Sequence, residues 1–554
     1  MTAYFDLGHY RRPVTTASVE AQTWFDRGLV WSYGFNHEEA VRCFQKAADH
    51  DPACAMAWWG IAYSAGPNYN KQWKAFDPDD LERSLGLAFD ATHRALALLD
   101  RVSPVEQALI RTLAERYPSK DPAEVTPETT VTWNDRYADR LSEAWRAREH
   151  DPDVAALFAE ALMNRTPWQL WDVRSGKPAD GASTLEALNV LEAALARPGG
   201  MRHPGLLHFY IHLMEMSAMP QRALRAADAL RNLVPDAGHL VHMGTHIDVL
   251  CGRYSNVVES NDRAIDADAK YLARHGAANF YSLYRCHNYH FKLYGAMFLG
   301  QQQPALEAAD AMIASLPDSL LRLESPPMAD WLEGFVPMKM HVLIRFGRWA
   351  EIIATPLPED PALFCVTTAM IHYAKAIAHA TKGNVAAADE EASRFEAAAA
   401  RVPPTRYLFN NTCLDILAVA AEMLKGEIAY RKGHFDVAFG HLRRSVQLDD
   451  SLPYDEPWGW MQPTRHALGA LLLEQGRVEE AETVYRADLG LDPELPRACQ
   501  HPENVWSLHG FHECLVRLGK HAEAAIIGQR LEIATAWADV PIRSSCFCRL
   551  ATAA

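Results

Sequence analysis

Large and small side chains recur along this 554-residue chain in a fixed order, and that order restricts the architectures open to it. Near the start the order is Trp24, Gly28, Trp31, Ala40, Phe44, Ala47 and Pro52. It returns at Gly426, Gly433 and Ala438, then at Leu468, Gly469, Gly476, Ala481, Tyr485 and Pro493, with a degenerate copy at Leu515, Gly519 and Ala524. The spacing has a packing logic. Small residues let two antiparallel helices approach closely, large ones fill the gap, and proline stops the second helix. Turn signatures such as GRY, GNVAAA, GHFDVA, GRVEEA and GKHAEA punctuate the middle and end of the chain.

As a set these landmarks resemble the tetratricopeptide-repeat family over most of the chain. The resemblance implies an all-α fold, a helical solenoid in which antiparallel helix pairs form a superhelix and the first helix of each repeat lines a concave groove. Proline- and glycine-rich stretches at 66–80, 118–132, 165–183 and 317–337 depart from the pattern. They read as loops or insertions suited to capping a groove. No linker splits the array, so the expectation is one continuous array over 1–554. Its N-terminal repeats with loop insertions occupy about 1–200, histidine-rich central repeats 201–350, and C-terminal repeats and a tail 351–554.

Composition narrows the partners. A formal net charge of −16 argues against a nucleic-acid backbone or an anionic membrane surface. No run of about 18 apolar residues is present, and the first residues lack the apolar core of a signal peptide. Ten scattered cysteines do not form a disulfide framework, and a reducing cytoplasm is the expected location. In the tail, RSSCFCRLATAA, Cys546 and Cys548 stand one residue apart. The segment reads as a mobile tail, or as a pair of thiols for a soft ion or a redox couple. No nucleotide-cofactor motif is seen.

The 24 histidines are not spread evenly. GHLVHMGTHI places His239, His242 and His246 on one helical face. Alignment on alanine and proline landmarks puts His208 and His212 one repeat earlier, at the same register as His242 and His246. His287 and His290 follow one repeat later at positions 2 and 5, and one repeat further on His341 occupies position 9, that of His212 and His246. In the tetratricopeptide family, positions 2, 5, 9 and 12 of the first helix face the groove. Three consecutive helices offer twelve such positions here, and seven are histidine. Neighbouring helices pack about 8–10 Å apart, within the combined reach of two imidazoles.

Seven imidazoles in register point to a metal. Peptide-clamping grooves more usually present Lys, Arg and Asn, and neutral imidazole clamps anions poorly. The donors are nitrogen-rich, with Glu215 the one acid in register, so copper, iron or zinc fits better than magnesium or calcium. The expected ligands are His208, His212, His239, His242, His246, His287 and His290. Glu215 and Tyr294, also in register, are the candidate catalytic groups, and Tyr210, Tyr281, Tyr284 and Tyr289 surround them. Trp59 and Tyr63, at groove positions of an early repeat, would form a substrate wall. His203, before Pro204, is either a further ligand or a helix cap, and His37 in YGFNHEEA reads as structural. The resulting expectation is a metal-dependent enzyme acting on a small molecule in the groove, leaning to oxygen-dependent oxidation. The alternatives are a scaffold that binds a protein or peptide with a structural metal or none, a zinc-dependent hydrolase, and a metal-storage protein.

Overall fold

The computed structural model describes residues 4–549. Among them the only strands are two short hairpins, Trp171–Asp172 with Lys177–Pro178 and Tyr407–Leu408 with Asn411–Thr412. All other regular structure is helical, as the repeat landmarks predict. No helix among the described residues is long and apolar enough to cross a membrane.

The chain divides into two compact units. The first comprises Met1–Ile247 and Arg263–Gly276. It is built of paired helices: Val19–Tyr33 on His37–His50, Ala55–Ala65 on Pro78–Leu96, Pro104–Arg116 on Pro127–Ala147, Pro152–Met163 on Thr184–Leu195, and Pro204–Glu215 on Leu224–Leu230. The second comprises Asp248–Asp262 and Ala277–Ala554. Its pairs include Ser282–Leu299 on Gln302–Ala314, Met338–Arg345 on Trp349–Ala354, and Cys365–Thr381 on Val385–Ala399. Cys413–Arg431 on Phe435–Asp449, Thr464–Glu474 on Val478–Asp488, and Val505–Arg517 on His521–Thr535 continue the series.

The landmarks act as their sizes suggest. The ring of Phe44 lies between Gly28 and Gly60, so a Cβ on Gly28 would stand 2.8 Å from it and one on Gly60 closer still. In the second unit the Tyr485 ring sits in the same way between Gly469 and Gly510. The turn glycines Gly433 and Gly476 have φ of +77° and +74°, where only glycine is unstrained, and each ends a first helix so that the chain can reverse.

The departures from the pattern are real but shorter than their composition predicts. Helices begin at Pro78 and Pro127, inside two of the stretches read as loops, because proline is well placed at a first helical position and Asp77 and Thr126 cap the starts. The 165–183 stretch holds one of the hairpins, and 317–337 breaks into short helical turns. Residues 550–554 of the tail lie outside the described residues; the described part is packed rather than loose: Ser545, Cys546 and Cys548 are buried, and Cys546 and Cys548 are joined by a disulfide. The other eight cysteines are thiols outside any disulfide among the described residues.

Candidate metal centre

Five of the seven predicted ligands, with Glu215, lie in the first unit. His208, His212 and Glu215 share the helix Pro204–Glu215, which is buried along its whole length. The GHLVHMGTHI stretch is not one continuous helix. It runs from Gly238 to His242, breaks at Met243, and resumes at Gly244. His239, His242 and His246 are nevertheless all buried, at no more than 1% exposure.

Four of the five imidazoles are held by their Nδ1 atoms. His212 Nδ1–H donates to Glu215 Oε1 at 3.0 Å, and His246 Nδ1–H donates to Oε2 of the same carboxylate at 2.7 Å. His208 Nδ1–H donates to the Tyr33 carbonyl at 2.5 Å. The Thr245 hydroxyl donates to the His242 carbonyl, which leaves its oxygen to face His242 Nδ1 at 3.3 Å as acceptor. A neutral imidazole carries one N–H, so a proton fixed on Nδ1 leaves Nε2 as a bare lone pair. This is the arrangement by which carboxylates and carbonyls orient metal-binding histidines. Nε2 of His208 and of His212 has no hydrogen-bond partner among the described residues.

Those lone pairs converge. Ligand atoms of His208, His212 and His239 lie within 4.8 Å of one another. His242 Nε2 and His246 Nε2 are 2.8 Å apart. With the His246 proton committed to Glu215 and the His242 proton facing Thr245, two lone pairs point at each other, an arrangement that a metal cation would relieve.

The surroundings are aromatic and dry. Phe35 lies under the triad, stacked on His212 at 5.7 Å and on His239 at 5.8 Å, and tilted against His208 at 4.5 Å. Its φ of +54°, in the turn between the first two helices, is a conformation costing an L-residue about 1–2 kcal/mol. Tyr69 at 5.1 Å and Trp168 at 5.7 Å close over His212. They come from the 66–80 and 165–183 stretches, so two of the sequence departures each supply a ring to the site. Burial pushes the His212 imidazolium down to about 3. Burial, followed by the neighbouring histidines, holds His208 and His246 well below the usual range. Burial raises the Glu215 carboxyl. His208, His212 and His246 are therefore neutral near pH 7, the form that binds metal.

Other candidates have other surroundings. His203 caps the helix start: its Nδ1 accepts from Leu206 N–H at 3.1 Å and its Nε2 meets Asp153 at 3.2 Å. Asp153 also accepts from the Tyr33 hydroxyl at 2.6 Å and from Arg12 at 2.7 Å, which steadies the residue whose carbonyl holds His208. Trp59 and Tyr63 are buried and stacked at 5.2 Å, and Tyr63 donates to Glu160 at 2.8 Å. His37 lies between Tyr63 and Phe35, 5.9 Å and 6.3 Å from their rings. Tyr210 donates to Glu192, at 2.9 Å. His287, His290 and Tyr294 belong to the second unit, where His287 packs on Phe409 and Tyr294 on Phe298. Sequence reasoning missed Tyr33, Phe35, Tyr69, Trp168 and Thr245. Only the aromatic content of the two insertions signalled any of them.

The helix pairs and their landmarks define an all-α protein built of antiparallel helix pairs, which resembles the tetratricopeptide-repeat fold. No family model matches the chain, and no curated protein does. Similar solved structures include an IFIT1 monomeric mutant with m7Gppp-AAAA, at 12% identity, covering 86% of this chain and 90% of that one with a TM-score of 0.32. Yeast Tom70 is 10% identical, covering 92% of this chain and 99% of its own, with a TM-score of 0.27. The APC/C hetero-tetramer Cut9–Hcn1 gives 12% identity, 95% coverage of each chain and a TM-score of 0.27.

Proposed function

We propose that the chain is a histidine-ligated transition-metal enzyme acting on a small molecule, with oxygen-dependent oxidation as the reaction class. His208, His212, His239, His242 and His246 are the proposed ligands within the first unit. Glu215 orients His212 and His246 and holds their Nδ1 protons. Trp59 and Tyr63 remain the proposed substrate wall, continued toward Phe35 by His37. A copper or iron ion bound there would supply the redox chemistry.

The observation that carries this reading is the use of Glu215. Both of its oxygens are taken by imidazole Nδ1 atoms, so it serves as a brace. That leaves imidazole as the donor type of the cluster and favours an ion content with nitrogen ligands over a carboxylate-bridged pair of hydrolytic metals.

The test is metal analysis of protein purified without a histidine tag and reconstituted with copper, iron or zinc. A tight stoichiometric ion, lost in the His242→Ala, His246→Ala double variant, is expected. Reduced, metal-loaded protein is then expected to be reoxidised by oxygen, followed by its optical and spin-resonance signals. Folded protein that takes up none of the three metals sinks the proposal. Uptake of redox-silent zinc alone would move it to the hydrolase.

A further inference from the structure

Five helices of the second unit, Met338–Arg345, Cys413–Arg431, Thr464–Glu474, Val478–Asp488 and Val505–Arg517, hold the segment 544–549. Arg345 Nη1 donates to the Ser545 carbonyl at 2.9 Å, and Arg431 donates to the Cys548 carbonyl. The Ser545 hydroxyl donates to the His466 carbonyl at 2.8 Å and accepts from the Tyr485 hydroxyl at 2.5 Å. Arg549 donates to both carboxylate oxygens of Glu513, at 2.6 and 2.9 Å. Between these anchors the Phe547 ring meets Trp506 edge-on at 5.8 Å. The segment is a strap tied to helices that lie far apart in the chain.

The Cys546–Cys548 disulfide sits inside this strap. It holds the two Cα atoms 5.2 Å apart, where an extended chain separates such positions by about 6.6–7.2 Å. The bond therefore imposes a bend, and the bend sets the Ser545 and Cys548 carbonyls on either side of it against Arg345 and Arg431. The Cys548 N–H closes the bend by donating to Cys546 Sγ at 3.2 Å. A bridge over so short a loop constrains the unfolded chain little, so its effect falls on this segment and not on the whole fold. Cys546 is the more exposed of the pair, at 9% against 3%. The chain before the strap is tied without sulfur: the Asp539 carboxylate accepts from the N–H groups of Gln302 and Gln303 at 2.6 and 2.9 Å. The strap can loosen from 544 onward while that tie stays in place.

We propose that this disulfide is a redox switch, which fastens the strap when oxidised and releases it when reduced by a dithiol. A thiolate of the reductant attacks Cys546 Sγ, the S–S bond breaks, and Cys548 leaves as a thiolate that takes up a proton. The second thiol of the reductant then displaces Cys546, so the protein gains two thiols and the reductant becomes a disulfide. Without the bridge the span 546–548 relaxes toward its extended length, and the Cys548 carbonyl draws away from Arg431. Ser545 and Phe547 then lose their register with Tyr485 and Trp506. Release uncovers an N–H of Arg345 and one of Arg431 that the strap carbonyls now take, together with the Trp506 ring, on which Arg345 stacks at 4.6 Å. The switch is independent of the Glu215-braced cluster, which belongs to the first unit.

The test compares the full-length protein after treatment with oxidised and with reduced dithiothreitol. Alkylation of the denatured chain is expected to count eight thiols in the first state and ten in the second. Arg543 is exposed but the residues just after it are buried, so trypsin can cut there only when the strap opens. Limited digestion is expected to cleave after Arg543 about 10-fold faster in the reduced protein, because the rate reads the population of the opened segment. Circular dichroism and cleavage elsewhere should stay the same. The Cys546→Ser, Cys548→Ser double variant should be cut at the fast rate in both treatments. Equal cleavage after Arg543 in the two states of wild type overturns the proposal, as does an acceleration spread evenly along the chain. Ten thiols after oxidation, or a double variant that still responds to dithiothreitol, overturns it equally.

Discussion

Glu215 shows how much one residue's chemistry can be read from spacing, and how much cannot. Its register with His212 was legible; that it would also take the Nδ1–H of His246, 31 positions away, was not. No periodicity encodes which nitrogen of an imidazole faces a carboxylate. In Glu215→Gln the amide keeps one acceptor and gains donors, so it cannot accept from both imidazoles. Metal affinity, measured by chelator competition, is expected to fall about 10–100-fold with the fold intact. The buried imidazoles also set a pH dependence for the metal-free protein. Between the ordinary histidine value of 6.5 and about 3, unfolded His212 binds a proton that folded His212 does not. His208 and His246 are displaced in the same direction, so acid destabilises the fold through each. The raised Glu215 carboxyl works the other way, since it is protonated when folded at a pH where the unfolded carboxyl is ionised. The lowered imidazoles outnumber the one raised carboxyl, so stability should fall as the pH drops below about 6.5. Denaturant midpoints taken from about pH 7 down to about pH 5 check the slope. A flat profile would mean that the folded imidazoles titrate normally.

The legible part of the helix pairs was the size alternation. Gly28, Phe44, Gly469 and Tyr485 could be assigned from sequence because close approach of two helices needs a small residue opposite a large one. Gly60→Ala drives a methyl group into the Phe44 ring and is expected to cost about 1–3 kcal/mol, seen as a lower melting temperature. Restoring room with Phe44→Leu in the same chain should recover part of the loss. The insertions were harder to read. Their composition marked them as irregular, yet composition says nothing about where a loop residue points. Tyr69 and Trp168 reach His212 through backbone geometry that includes a φ of +60° at Trp168. The break at Met243 was likewise invisible, because the apolar and histidine spacing runs through it undisturbed.

At the scale of the whole chain, a ligand that binds the folded state alone must stabilise it. At a free metal concentration 100 times its dissociation constant the gain is about 2.7 kcal/mol. Calorimetry should show that shift in wild type and none from the first cluster in the His242→Ala, His246→Ala variant. Phe35 has a further consequence, and it concerns time. It contacts His239, 204 positions downstream, whereas pairs such as Val19–Tyr33 with His37–His50 are closed by a turn of a few residues and even the longest insertion within a pair spans only 164–183. Helix pairs can therefore form as they leave the ribosome, but the floor of the cluster must wait. At translation rates of about 5–20 residues per second, Phe35 stands without that neighbour for roughly 10–40 s. During that interval its aromatic face is exposed, and no complete ligand set exists for an ion to capture. Loading of the proposed metal would thus be a late event in the life of the nascent chain, set by contact order and not by helix propensity.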